Sequence, residues 1–195
     1  YQTAALVAGE LRSLGWQVKE GVGRAGVVAE LGPQDAPLVG LRVDMDALPV
    51  EERTGLPYAS TQQGVMHACG HDGHSSMLLG AAAHLAQHSD FNGRAIFIFQ
   101  PNEEHGLGAA AMIDDGLFTR FEADAVFAMH NIPGMPAGSF ATRAGAMTAS
   151  ESLFEITIRA HGGHAAMPDM GIDPIPCGTA LVQSLQTIVS RRVPP

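Results

Sequence analysis

The 195-residue chain carries 11 Lys and Arg against 20 Asp and Glu, a net charge of −9, and 46% of it is apolar. That is enough for one full core and part of a second, while the acidic balance and scattered basic residues argue against nucleic acid or an anionic membrane surface as partner. The longest wholly apolar-or-glycine stretch, residues 106–113, falls far short of the roughly 20 residues that span a bilayer, and the start of the chain lacks the pattern of a signal peptide. The expectation is a soluble, cytoplasmic protein.

Residues 3–14 place Leu6, Val7, Leu11 and Leu14 at helical spacing, with Gly15 as a stop. Extended runs follow at 16–19, 25–31 and 38–43, the last apolar on both faces as in a buried parallel strand. A loop rich in ligand-type side chains leads into an Ala/Leu-rich helix over 75–88. Residues 94–100 (RAIFIFQ) and 123–130 (ADAVFAMH) read as two further buried strands, separated by a small-residue helix over 109–114. Alternating strands and helices predict an α/β fold with a mainly parallel sheet. From 138 to 149 the chain turns rich in Gly, Ala, Thr and Ser. Then 153–160 (LFEITIRA) alternates as a half-solvated strand, and 173–192 reads as a helix with Leu181, Leu185, Ile188 and Val189 on its apolar face. These changes place a domain boundary near residue 145, dividing the chain into 1–145 and 146–195.

The densest chemistry lies in residues 67–74, where His67, Cys69, His71 and His74 stand with Asp72 in a single stretch before a helix. Thiolate and imidazole suit zinc and its neighbours, and two ligands flanking a glycine can turn toward a common ion. The plainer alternative is a polar loop with Asp72 near a helix N-terminus. Asp44 and Asp46 follow one predicted strand, Glu103 and Glu104 a second, and His130 closes a third. In open α/β sheets ligands gather at the carboxyl ends of strands. Adjacent carboxylates point in different directions, so one of the Glu103–Glu104 pair can bind metal while the other moves protons. Cys69 is the one candidate bridging thiolate, since Cys177, in PIPCG, reads as a small buried thiol.

LRVDMDALPVEE, MHACGHDGH, QPNEEHG, AMHNIPGMPAG and AHGGHAAMP, in this order and spacing, resemble the aminoacylase and hippurate hydrolase family of metal-dependent amidohydrolases, whose relatives include auxin-conjugate hydrolases and a carboxypeptidase branch. The resemblance implies a zinc-peptidase-type catalytic domain over 1–145, followed by the beginning of a small α+β, ferredoxin-like lid and dimerisation domain over 146–195. It implies two divalent ions (zinc, manganese, cobalt or nickel), with Cys69 as bridge and His71, Glu104 and His130 as further ligands. Glu103 would be the general base and acid, Asp46 would orient the site from behind, and His164 of the lid would stabilise the developing oxyanion, often from a partner subunit. The substrate would be a small N-acylated amino acid, cleaved by a metal-activated water, and the protein a homodimer. Family members begin earlier and run further, so one more histidine ligand is expected outside this sequence. Two other readings compete: a carboxypeptidase-type metallopeptidase and a non-catalytic metal-binding module. His67, His74 and His105 carry no assigned role.

Overall fold

The computed structural model describes residues 1–148 and 152–192; Ala149, the end of the small-residue segment, and residues 193–195 lie outside the described residues. Two compact units emerge, Tyr1–Ala137 and Gly138–Pro195.

The first unit runs α1 (Gln2–Ser13), β1 (Gln17–Val22), β2 (Gly26–Leu31), β3 (Leu38–Asp44), α2 (His71–Gln87), β4 (Arg94–Gln100), α3 (Gly108–Asp114), α4 (Leu117–Arg120) and β5 (Ala125–Ala128). Its five strands form one sheet in the order β1-β2-β4-β3-β5. The expected mainly parallel sheet is corrected here to a mixed one: β3 pairs parallel with β4 and β5, whereas β1–β2 and β2–β4 are antiparallel. For β1–β2 the reason is connection length. Residues 23–25 can join two strands only as a hairpin, while a parallel pair needs a crossover of a dozen or more residues, which α2 and its flanking loops supply between β3 and β4.

Central strand β4 explains why RAIFIFQ is apolar throughout. Ala95, Phe97 and Phe99 enter one core with Val7 and Leu11 of α1, Trp16, and Leu78 and Ala82 of α2. Ile96 and Ile98 enter the other with Met112 of α3 and Leu117 of α4. Successive side chains of a strand face opposite sides, so a strand between two helical layers has no polar face. Trp16 stacks on Phe97 with ring centroids 4.4 Å apart and donates its indole N–H to the Ala82 carbonyl at 3.2 Å. Edge strand β5 is exposed along its length.

Helix α2 begins four residues before its expected start, at His71, because Gly70 takes a left-handed conformation (φ 89°) and turns the chain into the helix there. The first turn therefore contains His71, Asp72 and His74. In the second unit the long helix α5 spans Pro174–Arg192, but residues 153–160 form no strand. Alternation sets which side chains share a face; a ladder also needs a partner strand, and residues 153–160 pair with none among the described residues. Leu153 and Phe154 are 83% and 68% exposed.

Candidate metal centre

Because β3, β4 and β5 run parallel, their carboxyl ends lie along one edge of the sheet. Asp44 ends β3 opposite Gln100, the last residue of β4, and Met45 N–H donates to the Gln100 carbonyl at 3.0 Å, extending the pairing. Asp46 follows β3, Glu103 and Glu104 follow β4, and His130 and Asn131 follow β5, while the Gly70 turn brings Cys69 and His71 to the same place. The structure thus brings together Cys69, His71, Glu103, Glu104 and His130, with Asp46 touching two of them.

Two glycines make this convergence possible. A Cβ on Gly108, at the start of α3, would lie 1.5 Å from the Pro101 carbonyl oxygen. That close approach lets Gly108 N–H donate to the Asn102 carbonyl at 3.1 Å and Gly106 N–H to the Glu103 carbonyl at 2.8 Å, closing the loop that carries both glutamates. Gly70 is needed twice over, since its positive φ disfavours a side chain and its Cβ would meet the Asn131 amide at 2.7 Å.

The hydrogen bonds of the histidines set their tautomers. Nδ1–H of His71 faces the Asp46 carbonyl at 3.0 Å and its carboxylate at 3.3 Å, so Nε2 presents a lone pair. This nitrogen is buried with no hydrogen-bond partner among the described residues, and so is Glu104 Oε1. The two lie 3.7 Å apart, with Glu103 Oε2 at 3.8 Å and Asp44 Oδ1 at 3.7 Å from the same nitrogen. A lone pair facing three carboxylates is repulsive unless a cation sits among them. Metal–nitrogen and metal–oxygen bonds of about 2.0–2.2 Å fit between donors at such separations. His130 repeats the pattern: its Nδ1–H donates to the Asn131 carbonyl at 2.7 Å, and Nε2 faces Cys69 Sγ at 3.4 Å.

Ligand atoms of Cys69, His71 and His130 lie within 4.8 Å of one another, as do those of His71, Glu103 and Glu104. Asp44, His71 and His74 make a third such group, but His74 is engaged at both nitrogens. Its Nδ1–H donates to Asp44 at 2.6 Å, and its Nε2 accepts the Asn131 backbone N–H at 3.1 Å and abuts the Asn131 side-chain amide. The donor set of sulfur, imidazole and carboxylate suits a divalent transition ion.

Burial, then the hydrogen bond to Glu104 and the negative charges of Glu104, Glu103 and Asp44, push the Cys69 thiol up to about 11. A cation among these groups would reverse that balance and favour the thiolate. Asp46 receives Glu104 N–H on its second oxygen at 3.2 Å, so one carboxylate bears on both His71 and Glu104. Asp44 is 1% exposed and takes Arg42 Nη1–H at 2.9 Å on its other oxygen, while Arg42 Nε–H donates to Gln100 at 2.9 Å. Burial, the largest influence, raises the Asp44 carboxyl, but the His74 hydrogen bond and the Arg42 guanidinium lead the influences that hold it below its ordinary value.

His164 belongs to the second unit, where it is exposed; its Nδ1 accepts Ala166 N–H at 3.1 Å, leaving the proton on Nε2. His105 is exposed, and His67 keeps a buried Nδ1 without a partner. Sequence reasoning missed Arg42 and Asn131. Arg42 was detectable as a cation inside the apolar strand LVGLRVD, two residues from Asp44 and on the same face. Nothing in the sequence separates Asn131 from an ordinary loop residue.

The model of peptidase family M20/M25/M40 matches residues 40–193. Over 99% of its length the chain is 48% identical to hippurate hydrolase of Campylobacter jejuni, covering 50% of that protein. It is 43% identical to N-acetyl-L-cysteine deacetylase of Bacillus subtilis, with 100% of this chain and 47% of that one covered. The chain therefore spans about half the length of the curated relatives it matches. Among solved structures it is similar to a Bacillus subtilis protein described as a dinuclear metal binding peptidase of the M20 family, with TM-score 0.65, 38% identity, and 70% of this chain and 38% of that one covered.

Proposed function

The chain belongs to peptidase family M20/M25/M40, and from that footing we propose that it carries the metal-binding catalytic portion of an amidohydrolase cleaving the amide bond of N-acyl amino acids. The observation that carries the reading is the buried, unpartnered Nε2 of His71, ringed by carboxylates 3.7–3.8 Å away. Names of the relatives, a hippurate hydrolase and an N-acetyl-L-cysteine deacetylase, support the substrate class. Likeness to a dinuclear metal binding peptidase supports two ions.

Cys69 would bridge the two ions, with His71, Glu104 and His130 as further ligands. When bound, divalent ions supply Lewis acidity toward the acyl carbonyl and lower the pKa of water from 15.7 toward about 7. The two glutamates divide the remaining work by exposure: Glu104, with its side chain 20% exposed, turns a buried oxygen toward His71, while Glu103, at 39%, reaches solvent. Glu103 would take a proton from the attacking water and return it to the departing nitrogen. Hydroxyl ends on the acyl carbon and hydrogen on the amine, giving a carboxylate and an amine. Asp46 holds His71 in the tautomer that offers Nε2. His164, protonated on Nε2, would donate to the oxyanion, residues 146–195 beginning the lid and dimerisation domain of a homodimer. Both cysteines are free, which supports a reducing, cytoplasmic setting.

The test offers hippurate, N-acetyl amino acids and dipeptides to the protein supplied with zinc, manganese, cobalt or nickel. N-Acyl amino acids should be hydrolysed in preference to dipeptides, and Glu103→Ala should keep its metal while turnover falls about 100- to 10,000-fold. Failure to hydrolyse any N-acyl amino acid with every metal would overturn the enzyme reading. Metal lost in Glu103→Ala but kept in Glu104→Ala would mean the glutamates have exchanged roles.

A further inference from the structure

His74 has the residue type, burial and proximity of a metal ligand, yet its hydrogen bonds describe another task. It is 0% exposed, with Nδ1–H committed to Asp44 at 2.6 Å and Nε2 to Asn131 N–H at 3.1 Å. No lone pair is left for an ion. Asn131 is gripped from every side: its N–H by His74, its carbonyl by His130 Nδ1–H at 2.7 Å, and its side-chain amide between His74 Nε2 and Gly70. A continuous run of hydrogen bonds therefore leads from Arg42 through Asp44, His74 and Asn131 to His130.

The segment that carries His130 has little else to hold it. Residues 125–140 are exposed throughout, and β5 pairs with β3 only as far as Ala128. The His130 ring meets His74 and His71 edge-on, with centroids 4.5 and 6.2 Å away, and the Asn131 carbonyl sets which of its nitrogens carries the proton. We infer that His74 and Asn131 are positioning residues that fix the place and tautomer of His130, so that its Nε2 lone pair is aimed at Cys69 before any ion arrives. This inference rests on the metal reading above, in which His130 is a ligand and His74 is not. A ligand oriented in advance loses less entropy when an ion binds, and removal of such supporting partners typically weakens metal affinity about 10- to 100-fold.

The experiment combines ¹⁵N NMR of the histidine rings in metal-free protein with cobalt(II) titration followed by thiolate-to-metal charge-transfer absorption. Wild-type His130 should show the Nδ1–H tautomer, and His74→Asn and Asn131→Pro, the latter lacking the backbone N–H that His74 accepts, should each shift it toward Nε2–H or an average of the two. Both variants should bind cobalt about 10- to 100-fold more weakly than wild type while reaching the same number of ions at saturation. Their double variant should be no worse than the weaker single one, since both act through one run of hydrogen bonds. Asn131 is exposed, so its variant keeps the test available should replacement of buried His74 prevent folding. Loss of one bound ion in His74→Asn would make His74 a ligand and overturn the inference, as would wild-type tautomer and affinity in Asn131→Pro. A wild-type protein with no Cys69-dependent absorption would instead overturn the metal reading, and this inference with it.

Discussion

Replacing Gly108 by alanine should damage the site from outside it. The new Cβ would lie 1.5 Å from the Pro101 carbonyl oxygen and 2.7 Å from its carbon. A carbon–oxygen contact settles near 3.3–3.6 Å, so loop and helix must separate by about 2 Å. The obstacle is backbone, and no flexible side chain can swing away. That movement strains the Gly108 N–H bond to Asn102 and carries along Glu103 and Glu104, including the 3.2 Å bond from Glu104 N–H to Asp46. Overpacking of this kind costs about 1–3 kcal/mol, and misplacing a catalytic group by about 1 Å can cost 100-fold in rate. Gly80, in the middle of α2, is the control, since nothing lies within 4 Å of its Cβ position. Gly80→Ala should stabilise the protein by about 0.4–1 kcal/mol, through the unfolded chain. Urea unfolding would measure both variants, with metal affinity and hippurate turnover for Gly108→Ala. A Gly108→Ala protein with wild-type stability, affinity and turnover would refute the claim that this close approach sets the glutamate loop.

Phe97→Ala should cost about 3–5 kcal/mol, because Phe97 is fully buried at the centre of the sheet against Trp16; calorimetry or urea unfolding would show it, and a cost below 1 kcal/mol would contradict the packing. Asp44→Asn leaves Arg42 without its anion in a partly buried site, and breaking a buried pair costs about 3–5 kcal/mol, less here to the extent that Arg42 reaches solvent; an unchanged unfolding midpoint would show that Gln100 and solvent suffice for Arg42. Asp115 accepts Gly23 N–H at 3.0 Å, and that bond leads the causes holding its carboxyl below the ordinary 3.8. A depressed folded-state value contributes stability above the unfolded-state pKa and loses it as pH falls through the folded one. The destabilisation caused by Asp115→Ala should therefore be largest above about pH 4 and shrink in more acidic solution, and a pH-independent difference would count against it.

Sequence alone located all five strands of the sheet and helices α1, α2, α3 and α5, because hydrophobic period is a local property. RAIFIFQ is legible as a strand buried on both faces, and its bounds in the structure match. The ligand-dense stretch around Cys69 and the carboxylates at strand ends were legible too, since those residue types gather where a parallel sheet ends. Short α4 was not anticipated, and residues 153–160 show the converse limit: their alternation is real, but no partner strand pairs with them among the described residues. The antiparallel β1–β2 pair lay in a connection length, residues 23–25, whereas the antiparallel pairing of β2 with β4 was decided only in the folded sheet.

Division of labour among the histidines belongs to the tertiary structure. His71, His74 and His130 are chemically identical, and spacing treats His71 and His74 as equal candidates. What separates them is the partner each nitrogen meets: Asp46 for His71, Asp44 and Asn131 for His74, the Asn131 carbonyl for His130. The partners of His71 and His74 are distant in sequence, from 25 residues for Asp46 and His71 to 57 for His74 and Asn131, while that of His130 is the next residue, itself held by His74. Composition can announce that a metal site is encoded. Which lone pairs remain to face an ion is decided only when the chain closes, because a hydrogen bond depends on position and direction, and a one-dimensional pattern carries neither.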